Sequence, residues 1–217
     1  MCGRFSQTKT KQEVKKRFNL KKVPETIKPL FNIAPSQDIE IILNESPDEL
    51  SIARWGLLPS WSKEEKTTYS MINARAETIS EKPTYKRLIK SRRCLIIADS
   101  FYEWKKVALE KVPYRILMKD EGLFAFAGIW DSWEKEGVII KSCCIITIAP
   151  NKLCETIHDR MPVILPKECE GDWLSDTPME KVLDLLKSYP SDPMQCYAIS
   201  TKINNPSNNT EEVIKAI

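Results

Sequence analysis

The chain has 217 residues, of which 42% are hydrophobic and 29% charged, and its formal net charge is only +3. It is long enough to bury its own core, has no apolar run that could span a bilayer and opens with no signal-peptide pattern, so a soluble cytoplasmic protein is expected. Seven cysteines without a C-x2-C pair, and one histidine in the whole chain, exclude a zinc ribbon and a histidine cage: no metal and no cofactor are expected, and the thiols should be reduced.

Residues Thr8 to Leu20 place Val14 and Phe18 four apart on a basic background, the pattern of a short amphipathic helix. From Lys9 to Lys28 eight basic residues stand against two acids, a run that fits either a solvated helix face or a polyanionic partner. Pro24, Pro29 and Pro35 then divide the chain into extended segments. Apolar, β-branched runs predict strands at Ile39–Leu43, Cys94–Ala98, Tyr114–Met118, Leu123–Ile129, Val138–Ile148 and Cys196–Ile199. Glu134–Gly137 reads as a hairpin connection, and residues 76–89 and 179–187 read as helices. There is no repeat, low-complexity tract or linker. The expected architecture is therefore one α+β domain over residues 1–217, a monomer built on a largely antiparallel, barrel-like β-sheet with flanking helices.

Cysteine follows the initiator methionine in Met1-Cys2-Gly3-Arg4-Phe5. Loss of Met1 would leave a 1,2-aminothiol, whose amine can condense with an aldehyde to an imine while the thiol closes a five-membered thiazolidine. An α-amino group with a pKa of about 7.7–8.0 is roughly a tenth neutral near pH 7, whereas a lysine is almost wholly protonated. A free thiol is only a few per cent thiolate there, so amine attack comes first and thiol closure second.

Four further strings accompany this terminus: Trp55-Gly56-Leu57-Leu58-Pro59-Ser60-Trp61, Asn73-Ala74-Arg75-Ala76-Glu77-Thr78, Phe101-Tyr102-Glu103-Trp104 and His158-Asp159-Arg160-Met161-Pro162-Val163-Ile164-Leu165. In this order, and with Phe31-Asn32-Ile33-Ala34-Pro35 and Asn204-Asn205, the chain closely resembles the SRAP family of SOS response-associated peptidases and abasic-site processing proteins. The resemblance spans almost the whole sequence. It implies that Met1 is removed, by the protein itself or by an ordinary aminopeptidase, and that Cys2 traps the ring-opened aldehyde of an abasic site in single-stranded DNA as a thiazolidine. The Thr147-Ile148-Ala149-Pro150 stretch fits the family's threonine-containing segment only loosely.

The resemblance makes Glu103 the carboxylate of the site, and its aromatic flanks suit an acid that must protonate the departing hydroxyl of a carbinolamine. His158, the single residue that titrates near neutrality, is implied to move a proton during sugar ring opening or a competing strand-cleaving elimination. Asn73 can orient the terminal amine or a sugar hydroxyl. Arg75, and with less weight Arg4 and Arg160, are candidates for phosphate. Trp55 and Trp61 bracket a rigid loop, with at least one expected in the core and an exposed one suited to stacking on unpaired bases.

Two rivals share parts of this pattern. N-terminal-nucleophile amidotransferases also begin Met-Cys-Gly, but the Asn-Gly element expected of them is absent here. A non-covalent single-stranded DNA-binding module would use the basic helix and the tryptophans and leave Cys2 idle.

Overall fold

Both faces of the apolar runs are buried, which is why these runs are continuous rather than alternating. The computed structural model describes residues 2–25, 27–65 and 71–217. Its strands are β1 (Phe5–Gln7), β2 (Leu30–Ile33), β3 (Asp38–Leu43), β4 (Ser46–Trp55), β5 (Asn73–Arg75), β6 (Arg93–Ala98) and β7 (Ser100–Val107). They continue with β8 (Glu110–Met118), β9 (Phe124–Lys135), β10 (Val138–Ile148), β11 (Met161–Pro162), β12 (Ile164–Leu165) and β13 (Met194–Ala198). The α-helices are short: α1 (Lys11–Arg17), α2 (Pro83–Ser91), α3 (Glu170–Leu174) and α4 (Met179–Asp184).

Five strands close on themselves in the order β4–β3–β6–β9–β10–β4, antiparallel at every join except the parallel β10–β4 pair. Along β6, Cys94, Ile96 and Ala98 join Phe126 and Trp130 in an inner cluster, while Leu95 and Ile97 face outward among Ala125, Ala127, Leu88 of α2 and Trp173 of α3. The ring is tight at Gly128, where a Cβ would stand 2.8 Å from Ile96 Cδ1 and 2.9 Å from Cys94 Sγ. The expected α+β class with a largely antiparallel, barrel-like sheet is the one observed.

A second sheet, β13–β8–β7–β1–β2, contributes Phe5, Phe101 and Ile116 to the same inner cluster. The chain leaves the ring for this sheet at Asp99, whose buried carboxylate accepts from Ser6 Oγ at 2.5 Å and the Thr8 N–H at 2.7 Å. That bend places Glu103 in the middle of β7.

Helix lengths differ from the sequence pattern for local reasons. Thr10 and Glu13 form a capping box that starts α1 at Lys11. The 76–89 segment splits into a 3-10 turn, Ala76–Thr78, and α2, which opens with Pro83 in its first turn. The 134–137 connection is a hairpin turn with positive φ at Glu136 and Gly137. The basic run is not an open polyanion seat: Lys11, Arg17, Lys21 and Lys22 are paired with Glu25, Glu170, Asp48 and Glu49. No helix among the described residues is long and apolar enough to cross a membrane.

Candidate functional site around Cys2

The β1–β7 pairing brings the start of the chain to Glu103. Phe5 lies opposite Phe101, and the Tyr102 N–H donates to the Arg4 carbonyl at 2.9 Å, so extending the register sets Gly3 against Glu103. Cys2 is wholly buried in the inner cluster. Asn73 is carried by β5, which runs alongside β10 with Asn73 paired to Ile145, and its Nδ2 donates to the Cys2 carbonyl at 2.8 Å. The buried Asn73 Oδ1 has no hydrogen-bond partner among the described residues.

His158 follows a 3-10 turn, Cys154–Thr156, and its N–H donates to the Cys154 carbonyl at 2.9 Å. Pairing of Met161 with Ile148 fixes the segment from the other side. Its Nε2 stands 3.9 Å from Glu103 Oε2, and its Nδ1 accepts the Arg160 N–H at 3.1 Å. Asp159 Oδ1 also lies 2.9 Å from Nδ1, a contact that would need a proton there. Burial lowers the His158 pKa.

Glu103 is 4% exposed, and burial pushes its pKa up to about 7. Burial, reinforced by the Glu103 charge, pushes the Cys2 thiol far above the usual range. The thiol is therefore neutral, because burial outweighs the groups that would lower its pKa. Glu103 and His158 line a cavity of about 380 Å³ together with Trp104, Lys111 and Asn204. A larger hollow of about 450 Å³ lies on the outer face beside Arg17 and Glu170; it shares no residue with this group. All seven cysteines are free thiols. Among the described residues no cluster of His, Cys, Asp and Glu could hold a metal ion.

The remaining sequence candidates divide. Trp61 is 69% exposed, on a loop pinned by the Ser60 N–H to Asp131 at 2.9 Å and by Trp133 Nε1 to the Ser62 carbonyl at 2.8 Å. Trp55 is 0% exposed and packs edge-on against Phe5 at 5.1 Å, so it cannot stack on a base. Arg75 is exposed on β5. Arg4 is committed inward, donating to Asn32 Oδ1 and the Ile203 carbonyl, both at 2.7 Å. Arg160 forms a two-pronged pair with Glu77 at 2.6 and 2.9 Å and donates to the Thr147 carbonyl at 2.6 Å. As placed, both arginines brace the site and are not open to phosphate. Met1 lies outside the described residues.

Sequence reasoning overlooked three members of the cavity wall, Trp104, Lys111 and Asn204. Trp104 alternates with Glu103 on β7, and its Nε1 donates to Asn204 Oδ1 at 2.8 Å. The 203–208 segment is held by Asn32, whose Nδ2 donates to the Ile203, Asn205 and Asn208 carbonyls at 3.2, 3.0 and 2.9 Å. The Phe31–Pro35 and Asn204–Asn205 strings were the signal, since each supplies one half of this contact.

Comparisons with known proteins agree with the geometry. The model of the family described as SOS response associated peptidase (SRAP) matches residues 1–206. The chain is 46% identical over 223 residues to "Abasic site processing protein YoqW" of Bacillus subtilis, covering 100% of both chains. It is 31% identical to "Abasic site processing protein HMCES" of Xenopus tropicalis, covering 100% of this chain and 78% of that one. An X-ray structure of a protein from Bacteroides thetaiotaomicron superposes with a TM-score of 0.92 at 28% identity, covering 100% of both. A family match over nearly the full length, together with a fold that gathers the family's strings around Cys2, establishes that this chain belongs to the SOS response associated peptidase (SRAP) family.

Proposed function

We propose that this protein processes abasic sites in single-stranded DNA by covalent capture, with residues 1–217 acting as one cytoplasmic, monomeric domain. The observation that carries this is the meeting of Cys2 with a buried carboxyl whose pKa is about 7, next to the His158 imidazole. The names of the relatives at 46% and 31% identity point to the same lesion.

Once Met1 has gone, the Cys2 amine attacks the aldehyde carbon of the ring-opened sugar. Glu103, near its midpoint at neutral pH, protonates the carbinolamine hydroxyl, which leaves as water and gives the imine. The neutral thiol then adds to the imine carbon, its proton passing to nitrogen, and the thiazolidine ring is complete. Asn73 holds the Cys2 carbonyl and fixes the direction of the amine. His158 takes the proton from the sugar carbon next to the imine in the competing elimination that cuts the strand as a lyase. Ring closure competes by consuming the imine. Cleavage of the Met1–Cys2 bond by water, with the carboxyl serving as base and then acid, is the associated peptidase step. Trp61 and Arg75 offer a base platform and a phosphate contact.

Purified protein should have lost one methionine by intact mass and should form a denaturant-stable adduct with abasic single-stranded DNA, but not with intact DNA. Cys2→Ala should form none. A wild-type protein that gives no such adduct, or an active one that retains Met1, overturns the proposal.

A further inference from the structure

β7 and β8 form a hairpin that reaches past the cavity into solvent, ending in a turn with Ala108 at φ 53° and Leu109 99% exposed. Lys106 and Lys111 lie directly opposite each other in its ladder. Like charges at directly opposed positions repel and weaken the pairing, so stability alone would favour an acid at one of them. Lysines that do meet a carboxylate are Lys11, Lys21, Lys22, Lys141 and Lys202; among the described residues neither Lys106 nor Lys111 has such a partner. Glu110 gives no relief, because it pairs with Val107 and alternation sends it to the other face.

The same alternation puts Trp104 on the face of Lys106, with Lys111 across from that lysine. Lys111 and Trp104 both line the cavity that holds Glu103 and His158. Lys111 thus lines the cavity beside an aromatic ring, and Lys106, equally without a carboxylate partner among the described residues, stands opposite it in the ladder. We propose that Lys106 and Lys111 form a clamp for one phosphodiester group of the DNA strand adjoining the captured sugar. The inference rests on the abasic-site reading above and adds the element that receives the flanking backbone. A phosphate between the two ammonium groups turns their repulsion into shared attraction, so the hairpin is disfavoured when free and relieved when loaded.

The test uses processed protein and single-stranded DNA carrying a tetrahydrofuran abasic analogue, which offers no aldehyde and reports binding alone. The double variant Lys106→Gln with Lys111→Gln should raise Kd about tenfold at low salt and make the dependence of log K on log salt shallower by about 0.7 for the lost phosphate contact. Lys106→Glu should weaken binding at least as much while raising the melting temperature of the free protein, because an opposed Glu–Lys pair replaces the like charges. Lys86→Gln on α2 removes one charge away from the cavity and should change neither quantity. Reaction of Cys2 with free 2-deoxyribose, which has no phosphate, should be the same in the Lys106→Glu and Lys86→Gln variants, which leave the cavity wall intact. An unchanged Kd and slope in the double variant, or slower reaction of the Lys106→Glu variant with the free sugar, overturns the clamp. Absence of a wild-type adduct with abasic DNA overturns the abasic-site reading and is scored separately from the analogue titration.

Discussion

Glu103 is held in a place that costs the fold something. Its pKa is raised from an ordinary carboxyl value to about 7 by burial, so between those values the folded state binds more protons than the unfolded state, and stability falls as pH rises through that window. Glu103→Gln should therefore stabilise the protein at about pH 8, by about 3 kcal/mol if the whole shift is relieved, with little gain near about pH 4.5. On the proposed mechanism the same change should slow adduct formation by about 10²–10⁴-fold. Glu40 provides the control. It is buried on β3, accepts from Gln7 Nε2 at 2.9 Å and is also raised to about 7 by burial. Glu40→Gln should reproduce the pH-dependent gain in thermal melts and leave the rate of adduct formation unchanged.

At the scale of elements, the ring strands were legible because they are apolar on both faces, as in β6 and β10. β4 was not, since Ser46-Pro47-Asp48-Glu49 looks like a turn and one side of the strand is polar. β7 was hidden for the same reason: its lysines follow directly on Phe101-Tyr102-Glu103-Trp104, and no local signal marks the change of sheet at Asp99. The candidate site was legible only through its strings. Spacing could not show that Trp55 is core and Trp61 is surface, because burial depends on which strand the loop leaves. Nor could it show that Arg160 answers to Glu77. Tight approach within the ring makes a direct prediction: Gly128→Ala should destabilise by about 1–3 kcal/mol in denaturant titrations, since its Cβ meets Ile96 and Cys94 and cannot be accommodated without moving β6.

For the whole molecule, the tie between distant parts of the chain runs through one amide. Asn32 accepts from Arg4 at 2.7 Å and donates to three carbonyls of the 203–208 segment. Asn32→Ala would strand a partly buried guanidinium and those carbonyls, and should cost about 3 kcal/mol. Hydrogen exchange should rise first across residues 199–214, where the small Tyr102–Ile199–Ile203–Val213 cluster packs. The adduct rate should fall with it, because Asn204 holds Trp104 at the cavity wall.

That tie also bears on when the chain becomes reactive. The groups gathered at the cavity and Cys2 come from positions 2, 73, 103, 158 and 204, so their assembly waits on pairings distant in sequence, which form late in folding. On the proposed mechanism a half-folded chain would lack both the carboxyl that frees the Cys2 amine from Met1 and the amide that aims it. If the chain traps aldehydes as proposed, completion of the fold is what licenses that chemistry, and the trap is armed only once its specificity has been built.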